Sequence, residues 1–287
     1  MLHKSIKEVH THREPRHRIS VDPLRRSEMK KFMAALGTVV LGFGVIAGIG
    51  TYVAAAKNDP GLTSATPAGT YTAPDGKSYP HYTLHLNTYP NSTFGGHHGA
   101  DGGAHPDWVS YGLAGEFGEP LTQASTGTNF VVPPHSAVTI TIWQYDSGET
   151  LNNDFFAKIR GTVGNTATLV ERYDTKSHSN ATEAKTITQI PHDQVGHTFT
   201  IHGIADAKDQ VFVNVPLPMA NDDEVSAAEE EGGFTQFPSM MTFTIITGDE
   251  GEYVWNCEFP CGDGTVARFG NAMSAMSYMS GHWIVRA

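Results

Sequence analysis

Most of the chain after residue 80 alternates apolar and polar residues, which is the pattern of β-strands with one buried face. The clearest examples are HYTLHLN, SAVTITIWQY, HTFTIHG, QVFVNVPL, MMTFTIITG and GHWIVRA. These runs are short, and clusters of turn-forming residues separate them. The pattern therefore predicts an all-β domain, a single β-sandwich rather than a sheet built from βαβ units.

A longer apolar run precedes the strands. Between Lys31 and Lys57 the sequence FMAALGTVVLGFGVIAGIGTYVAAA contains no charged residue. As a helix rising about 1.5 Å per residue, it is long enough to cross a hydrocarbon core of ~30 Å. The basic residues before it predict a cytoplasmic N-terminus and an extracytoplasmic globular part. An alternative is a signal segment cleaved near Ala56, which places the globular part on the same side.

These patterns divide the chain into four parts. Residues 1–31 are predicted to be a basic cytoplasmic tail, and residues 32–56 a transmembrane helix. Residues 57–79, rich in Pro, Gly, Ser and Thr, are predicted to be a tether. Residues 80–287 are predicted to be the globular domain, and the acidic insertion at 221–233 is interpreted as a solvated loop.

The charge distribution excludes one class of partner. The chain has a net charge of −11, but the first 31 residues carry nine basic and four acidic residues, or +5. The remainder therefore carries −16, the difference between these two values. Because nucleic-acid binding requires a basic surface, we expect no nucleic-acid partner.

The candidate chemistry lies close to the C-terminus. Cys257 and Cys261 follow a β-patterned run, and Met273, Met276 and Met279 come after them at intervals of three. Thiolate and thioether sulfur favour copper among the common metals. Two cysteines outside the cytoplasm can equally form a disulfide, so both interpretations remain open.

The same segment carries a resemblance to a known family. An alternating strand, a Gly turn and then GEYVWNCEFPC resemble the strand pair that delivers the copper-binding cysteine in cupredoxins, and VGHTFTI resembles the strand with their first histidine. Residues 80–287 are most similar in outline to the copper domain of cytochrome c oxidase subunit II. HPDWVSYG, GHTFTI and CxxPC also resemble elements of membrane-anchored actinobacterial cupredoxin-domain proteins. The resemblance implies a cupredoxin-type Greek-key β-sandwich.

The resemblance implies a ligand set for one or two copper ions. His197 matches the first imidazole ligand, Cys257 and Cys261 match the bridging thiolates, and Met279 matches the axial methionine. Met276 stands where the second histidine ligand belongs, so this chain departs from the family pattern. A second imidazole would come from elsewhere, and the candidates are His202, His135, His97, His98 and His105.

The early segment from His81 to His105 raises a separate question. It contains five histidines within 25 residues: His81, His85, His97, His98 and His105. Imidazole suits copper and zinc, so a second metal site is one interpretation. Histidines of surface loops are the other interpretation, and the sequence favours it.

The resemblance implies a membrane-anchored electron carrier or accessory subunit rather than a catalyst. It would transfer single electrons in or beside a respiratory chain, with cytochrome c or a haem-copper oxidase as partner. A Cu(I) carrier or storage protein for oxidase assembly is the alternative, because methionine replaces the second histidine. A metal-free cupredoxin subunit of a membrane complex is the third possibility.

Overall fold

The structure is a computed structural model that describes residues 31–33, 36–38, 42, 45, 61–90, 109–119, 128–148, 153–203, 210–261, 272–275 and 278–287. The chain divides into two compact units, Met1–Ala54 and Ala55–Ala287. In the first unit the described residues are helical. Among the described residues, no helix is both long and apolar enough to cross a membrane. Most of the transmembrane segment predicted at 32–56 lies outside the described residues.

The second unit contains fifteen strands and one α-helix among its described residues. The strands are β1 Leu62–Ser64, β2 Thr66–Thr72, β3 Ser78–Tyr89, β4 Ser110–Leu113, β5 Asn129–Val132, β6 Ala137–Gln144, β7 Ala167–Val170, β8 Tyr173–Asp174, β9 Ser179–Asn180, β10 Lys185–Ile187, β11 Val195–Gly203, β12 Phe212–Pro218, β13 Ser239–Ile246, β14 Gly251–Asn256 and β15 Ser280–Val285. The helix α1 is Asp222–Glu230, and three short 3₁₀ helices are Val163–Asn165, His192–Gln194 and Ala272–Ser274.

The strands form two main sheets. Sheet A has the order β1-β5-β15-β14-β11-β12, and sheet B has the order β10-β7-β13-β6-β3-β2, with β4 paired to β3. Most neighbours are antiparallel, while β1–β5, β5–β15 and β3–β6 are parallel. The small β8–β9 hairpin pairs separately. This arrangement confirms the predicted β-sandwich.

The apolar core lies between the sheets, where the alternation in the sequence places it. In β6, Val138, Ile140 and Ile142 are fully buried, whereas Thr139 and Thr141 between them are half-buried on the other face. The centre of the core is aromatic. The ring centroids of Phe199 and Trp255 are 5.0 Å apart, and many neighbouring rings are offset or edge-on, which are favourable aromatic geometries.

The segment expected to be a tether differs from that expectation. Within residues 57–79 the chain forms β1, which pairs with β5, and β2, which pairs with β3. β2 is an edge strand of sheet B, and its register shifts between Pro67 and Gly69. Edge strands and bulges tolerate proline and glycine, so a composition typical of linkers is compatible with a strand here.

The acidic insertion also differs from the expected solvated loop. Residues 222–230 form α1, and the side chain of Asn221 caps the helix by accepting a hydrogen bond of 3.0 Å from the Glu224 amide. Asp222, Asp223 and Glu224 occupy the first turn, where negative charge is favourable with the helix dipole. The same acidic residues that indicated a loop therefore support a helix N-terminus.

Gly281 provides a test of this packing. A side chain at Gly281 would meet the backbone carbonyl oxygen of Thr128, which accepts a hydrogen bond of 2.6 Å from Trp255 Nε1. We expect Gly281→Ala to lower the free energy of unfolding by about 1–3 kcal/mol, because overpacking forces the backbone to shift. Urea unfolding measures this change. Gly61→Ala is the control, since nothing lies within 4 Å of its Cβ position, and equal midpoints for the two variants would contradict the packing described here.

Candidate metal centre

Three buried side chains converge at one end of the sandwich. The Nδ1 atom of His197 lies 2.9 Å from Cys261 Sγ and 3.8 Å from Cys257 Sγ, and the two sulfurs are 3.3 Å apart. Neither cysteine is in a disulfide, and all three residues are at most 1% exposed. The structure thus brings together three of the residues that the sequence suggested as metal ligands.

The strand order explains this convergence. β11 is antiparallel to β14, so its N-terminal half, with His197, lies beside the C-terminal end of β14, which leads into Cys257. β14 is antiparallel to β15, so Cys257 also lies beside the start of β15. The amide of Cys257 donates a hydrogen bond of 2.9 Å to the Met279 carbonyl. A short turn, closed by the 2.7 Å bond from the Cys261 amide to the Phe259 carbonyl, returns the second thiol to the first.

Backbone amides surround the sulfur of Cys257. The N–H groups of Thr198 and Phe259 each approach Cys257 Sγ at 3.4 Å. The Thr198 side chain in turn accepts a hydrogen bond of 2.8 Å from the Glu258 amide. Because hydrogen-bond donors that point at sulfur stabilise the thiolate more than the thiol, these two amides favour the thiolate form of Cys257 despite its burial.

Asp146 orients the imidazole, and the sequence analysis missed it. Its Oδ2 atom lies 2.5 Å from His197 Nε2, on the side of the ring opposite the sulfurs. The hydrogen bond at Nε2 fixes the orientation of the ring and leaves Nδ1 facing the thiols. In metal-binding proteins, a carboxylate often orients a histidine ligand in the same way. The only sequence signal is an acidic residue soon after the buried strand β6, and many surface loops share that signal.

The loop after β6 is built for close approach to β11. The carbonyl of Asp146 accepts hydrogen bonds from Gln144 Nε2 at 2.7 Å and from the Ala220 amide at 3.1 Å. Gly148 has a positive φ of 72°, and its Cβ position is only 2.6 Å from the Cα of Gly196. A side chain at either glycine would push Asp146 away from His197, so the two glycines are part of the site.

The contacts shift the ionisation of the histidine and of one thiol. Burial opposes a charged imidazole, but hydrogen bonds to Asp146 and Cys257 prevail and raise the pKa of His197 to about 10. Burial likewise opposes a thiolate, yet hydrogen bonds with Cys261 and His197 lower the pKa of Cys257 well below its usual value. Without metal, the two groups therefore form an imidazolium–thiolate pair at neutral pH.

Two of the three methionines that follow Cys261 are among the described residues. Met279 is fully buried in the same core cluster as both cysteines, and its amide donates to the Ala272 carbonyl at 2.9 Å. Met273 is half-buried against this cluster, and Met276 lies outside the described residues. The Met279 carbonyl accepts a hydrogen bond from the Cys257 amide, so the backbone of Met279 lies beside Cys257, and binding of metal by its sulfur stays a prediction.

The other candidate imidazoles that are described lie elsewhere. His202 Nε2 bonds to Asn256 Oδ1 at 2.7 Å, and His135 forms an exposed pair with Asp249 at 3.2 Å. His97, His98 and His105 are outside the described residues. Within the part of the chain that is described, a second imidazole therefore does not join the group formed by His197, Cys257 and Cys261.

A second metal site among the early histidines, the less favoured interpretation of that segment, finds no support in its two described members. His81 Nε2 bonds to the Thr139 hydroxyl at 2.8 Å, and His85 packs edge-on against Trp143 with ring centroids 5.7 Å apart. Among the described residues, the only group of His, Cys, Asp or Glu with ligand spacing is that of His197 and the two cysteines. His81 and His85 therefore have structural roles in sheet B.

The donor set is suitable for binding a soft metal ion. One ligand atom from each of the three residues lies within 4.8 Å of the others. Donors that bind one ion at about 2.0–2.3 Å are separated by distances of this size. Two thiols and an imidazole suit soft or borderline metals, and Cu(I) is the softest of the common candidates.

Comparisons with known proteins do not assign the chain to a family. No family model matches it, and no curated protein matches it. Among solved structures, the copper protein rusticyanin is 13% identical over 83% of this chain and 94% of its own, with a TM-score of 0.34. Auracyanin B is 11% identical over 78% of this chain and 100% of its own, with a TM-score of 0.26. A multicopper oxidase is 10% identical over 79% of this chain and 47% of its own, with a TM-score of 0.28.

The ionic pair predicts a pH dependence of the metal-free, reduced protein. Up to about pH 10 the folded pair binds one proton, on His197. Between pH 6.5 and pH 9.0, the usual pKa values of histidine and cysteine, the unfolded state also binds one proton, on Cys257, and above pH 9.0 it binds none. The proton on His197 should therefore make the stability fall as pH rises from 9.0 to about 10, and it contributes at most about 1.4 kcal/mol per pH unit. Chemical denaturation with a chelator and a reductant at each pH measures it.

Asp146→Asn provides the matched variant for this measurement. Without the carboxylate, the pKa of His197 falls toward its usual value, so the variant should be less stable at pH 7 and should lack the alkaline loss. A wild-type stability that stays flat or rises from pH 9 to pH 10 would contradict the imidazolium–thiolate pair.

Proposed function

We propose that this chain is a cupredoxin-type copper protein that transfers single electrons. The observation that carries the proposal is the convergence of His197, Cys257 and Cys261 in a buried cluster at one end of a β-sandwich. The order in which the strands deliver the ligands supports it, because a histidine strand, a cysteine strand and a methionine before the final strand are neighbours.

The scaffold suits electron transfer because it holds the donors still. Asp146 fixes the ring of His197, and backbone amides fix the sulfur of Cys257. His197 lies within β11 and Cys257 directly follows β14, so two paired strands of the core hold these donors in place. Bound copper would supply the one-electron couple, and one or two ions are compatible with two thiolates.

Copper handling is the second candidate function, and a specific observation favours it. The described donor set contains two sulfurs and a single imidazole, a softer combination than the two imidazoles and one thiolate of blue copper sites. A carrier or storage protein for Cu(I) would use such a set to deliver copper for oxidase assembly. A metal-free cupredoxin subunit is the third candidate, and it requires a Cys257–Cys261 disulfide or unoccupied thiols in cells.

The membrane location and the partners are part of the proposal. The uncharged run between Lys31 and Lys57 supports a single-pass anchor with a cytoplasmic N-terminus and an extracytoplasmic domain. The charge of −16 on the remainder of the chain favours a basic redox partner, such as a cytochrome c, or a place beside a haem-copper oxidase.

Copper loading of cysteine and methionine variants tests the function. We expect the protein loaded with Cu(II) to show strong visible thiolate-to-copper absorption, and Cys257→Ser to abolish it, because that thiolate would be the principal electron path. Met279→Leu should keep the copper and shift its potential. Met240→Leu should change neither, because Met240 packs against a separate small cluster that contains Trp143 and Tyr145.

The outcomes of this experiment separate the candidates. A colourless protein that holds Cu(I) tightly would favour copper handling. Zinc in the natively purified protein, or a disulfide whose reduction restores no copper uptake, would contradict both copper functions.

Mass spectrometry of the protein extracted from membranes tests the anchor. We expect an intact chain that begins upstream of Lys31, because the apolar run is longer than that of a usual signal segment. A mature N-terminus at Lys57 would show that the segment is a cleaved signal, and recovery of the intact chain without detergent would contradict membrane insertion.

A further inference from the structure

A cavity opens on the lateral side of the sandwich, at the same end as the candidate metal centre. It has a volume of about 370 Å³ and lies between β10, an edge strand of sheet B, and the end of β12, an edge strand of sheet A. Leu169 and Ile190, both nearly fully buried, and the half-buried Ile187 give it an apolar wall. Its size is within the range of about 300–1,000 Å³ typical of small-molecule sites.

Ser239 gives the cavity an unsatisfied polar group. This residue lines the cavity and is only 4% exposed; its hydroxyl oxygen is itself buried in the observed rotamer and has no hydrogen-bond partner among the described residues. A buried hydroxyl without a partner costs about 1–3 kcal/mol, and folded proteins keep few such groups. A ligand with a hydrogen-bonding group would satisfy the hydroxyl after a rotation of its short side chain.

The charged residues at the mouth of the cavity neutralise each other. Lys185 Nζ lies 2.9 Å from Glu171 Oε1, and both side chains are about half exposed. No other lining residue is charged among those that the structure describes. A charged ligand would therefore lose its hydration in the cavity, and the oppositely charged side chain that it would need is already paired.

We propose that this cavity binds an uncharged small molecule with an apolar body and a single carbonyl or hydroxyl group directed at Ser239. The proposal does not depend on the function proposed for the metal centre. Gln194 and Met219 both line the cavity, and both are close to Gly196: Gln194 precedes it by two residues, and a Cβ at Gly196 would be 3.1 Å from Met219 Cγ. A bound molecule would therefore sit beside the start of the strand that carries His197.

Cyclohexanone is a suitable probe, because it has an apolar ring and one carbonyl group. In amide NMR spectra of the metal-free full chain, we expect saturable shifts at Leu169, Ile187 and Met219. A ligand of seven heavy atoms should bind with a dissociation constant on the order of 1 mM. Cyclohexanecarboxylate, which adds a charge to the same ring, should bind at least about tenfold more weakly.

Two variants test the roles of the hydroxyl and of the cavity. Ser239→Ala should weaken cyclohexanone binding about twofold to tenfold, the range expected for one hydrogen bond. Ser110→Ala is the matched control, since Ser110 is also buried with an unpartnered hydroxyl but does not line the cavity. Ile187→Trp, at a half-buried edge position, should fill the cavity and abolish binding without lowering the melting temperature by more than a few degrees.

Several results would overturn the proposal. The first is the absence of saturable shifts at the three amides up to tens of millimolar cyclohexanone. The second is binding that Ser239→Ala leaves unchanged, or that Ile187→Trp does not reduce in a folded variant. The third is cyclohexanecarboxylate binding as tightly as cyclohexanone, which would contradict the neutral class of ligand.

Discussion

The hydrogen bond between Asp146 and His197 is the interaction on which the candidate metal centre depends. A buried imidazole beside two thiols has two nitrogens, and only an acceptor on the far side of the ring selects the one that faces sulfur. The carboxylate also offsets the cost of a charged imidazole in the core, which in turn stabilises the thiolate of Cys257. Without this contact, burial would favour the neutral Cys257 thiol, which binds metal ions less readily than a thiolate, whereas the imidazolium of His197 has to release its proton when a metal binds.

The two sheets make this contact possible. Asp146 follows β6 of sheet B, whereas His197 and Cys257 belong to strands of sheet A, so the site forms where the ends of both sheets meet. The close approach of Gly148 to Gly196 brings the two sheets within hydrogen-bonding reach at this end. Because the aromatic core behind the site packs tightly, the donors have little freedom to separate. Such a preformed arrangement would suit the proposed transfer of electrons, because little rearrangement would be needed.

The alternation of apolar and polar residues was sufficient to predict the sandwich, since in a strand with one buried face every second residue is apolar. The cysteine pair and the GHTFTI strand pointed to three donors that the structure brings together, because their chemistry is uncommon and their strands are adjacent. Asp146 could not be predicted, since its role arises from a contact across 51 residues. The strands β1 and β2 were also missed, because edge strands tolerate the proline and glycine of a linker. The composition of α1 was equally compatible with a loop, and only its cap and its packing decide in favour of a helix.

The lateral cavity and the metal centre lie at the same end of the sandwich but differ in chemistry. The first is apolar with a single unsatisfied hydroxyl, and the second gathers titratable groups in the core. The central claim is that one imidazole and two thiolates bind copper together. X-ray absorption at the copper K-edge of the loaded full chain tests this claim most directly. The account predicts two sulfur neighbours at about 2.3 Å and at least one nitrogen neighbour at about 2.0 Å. A shell containing only nitrogen and oxygen would contradict it.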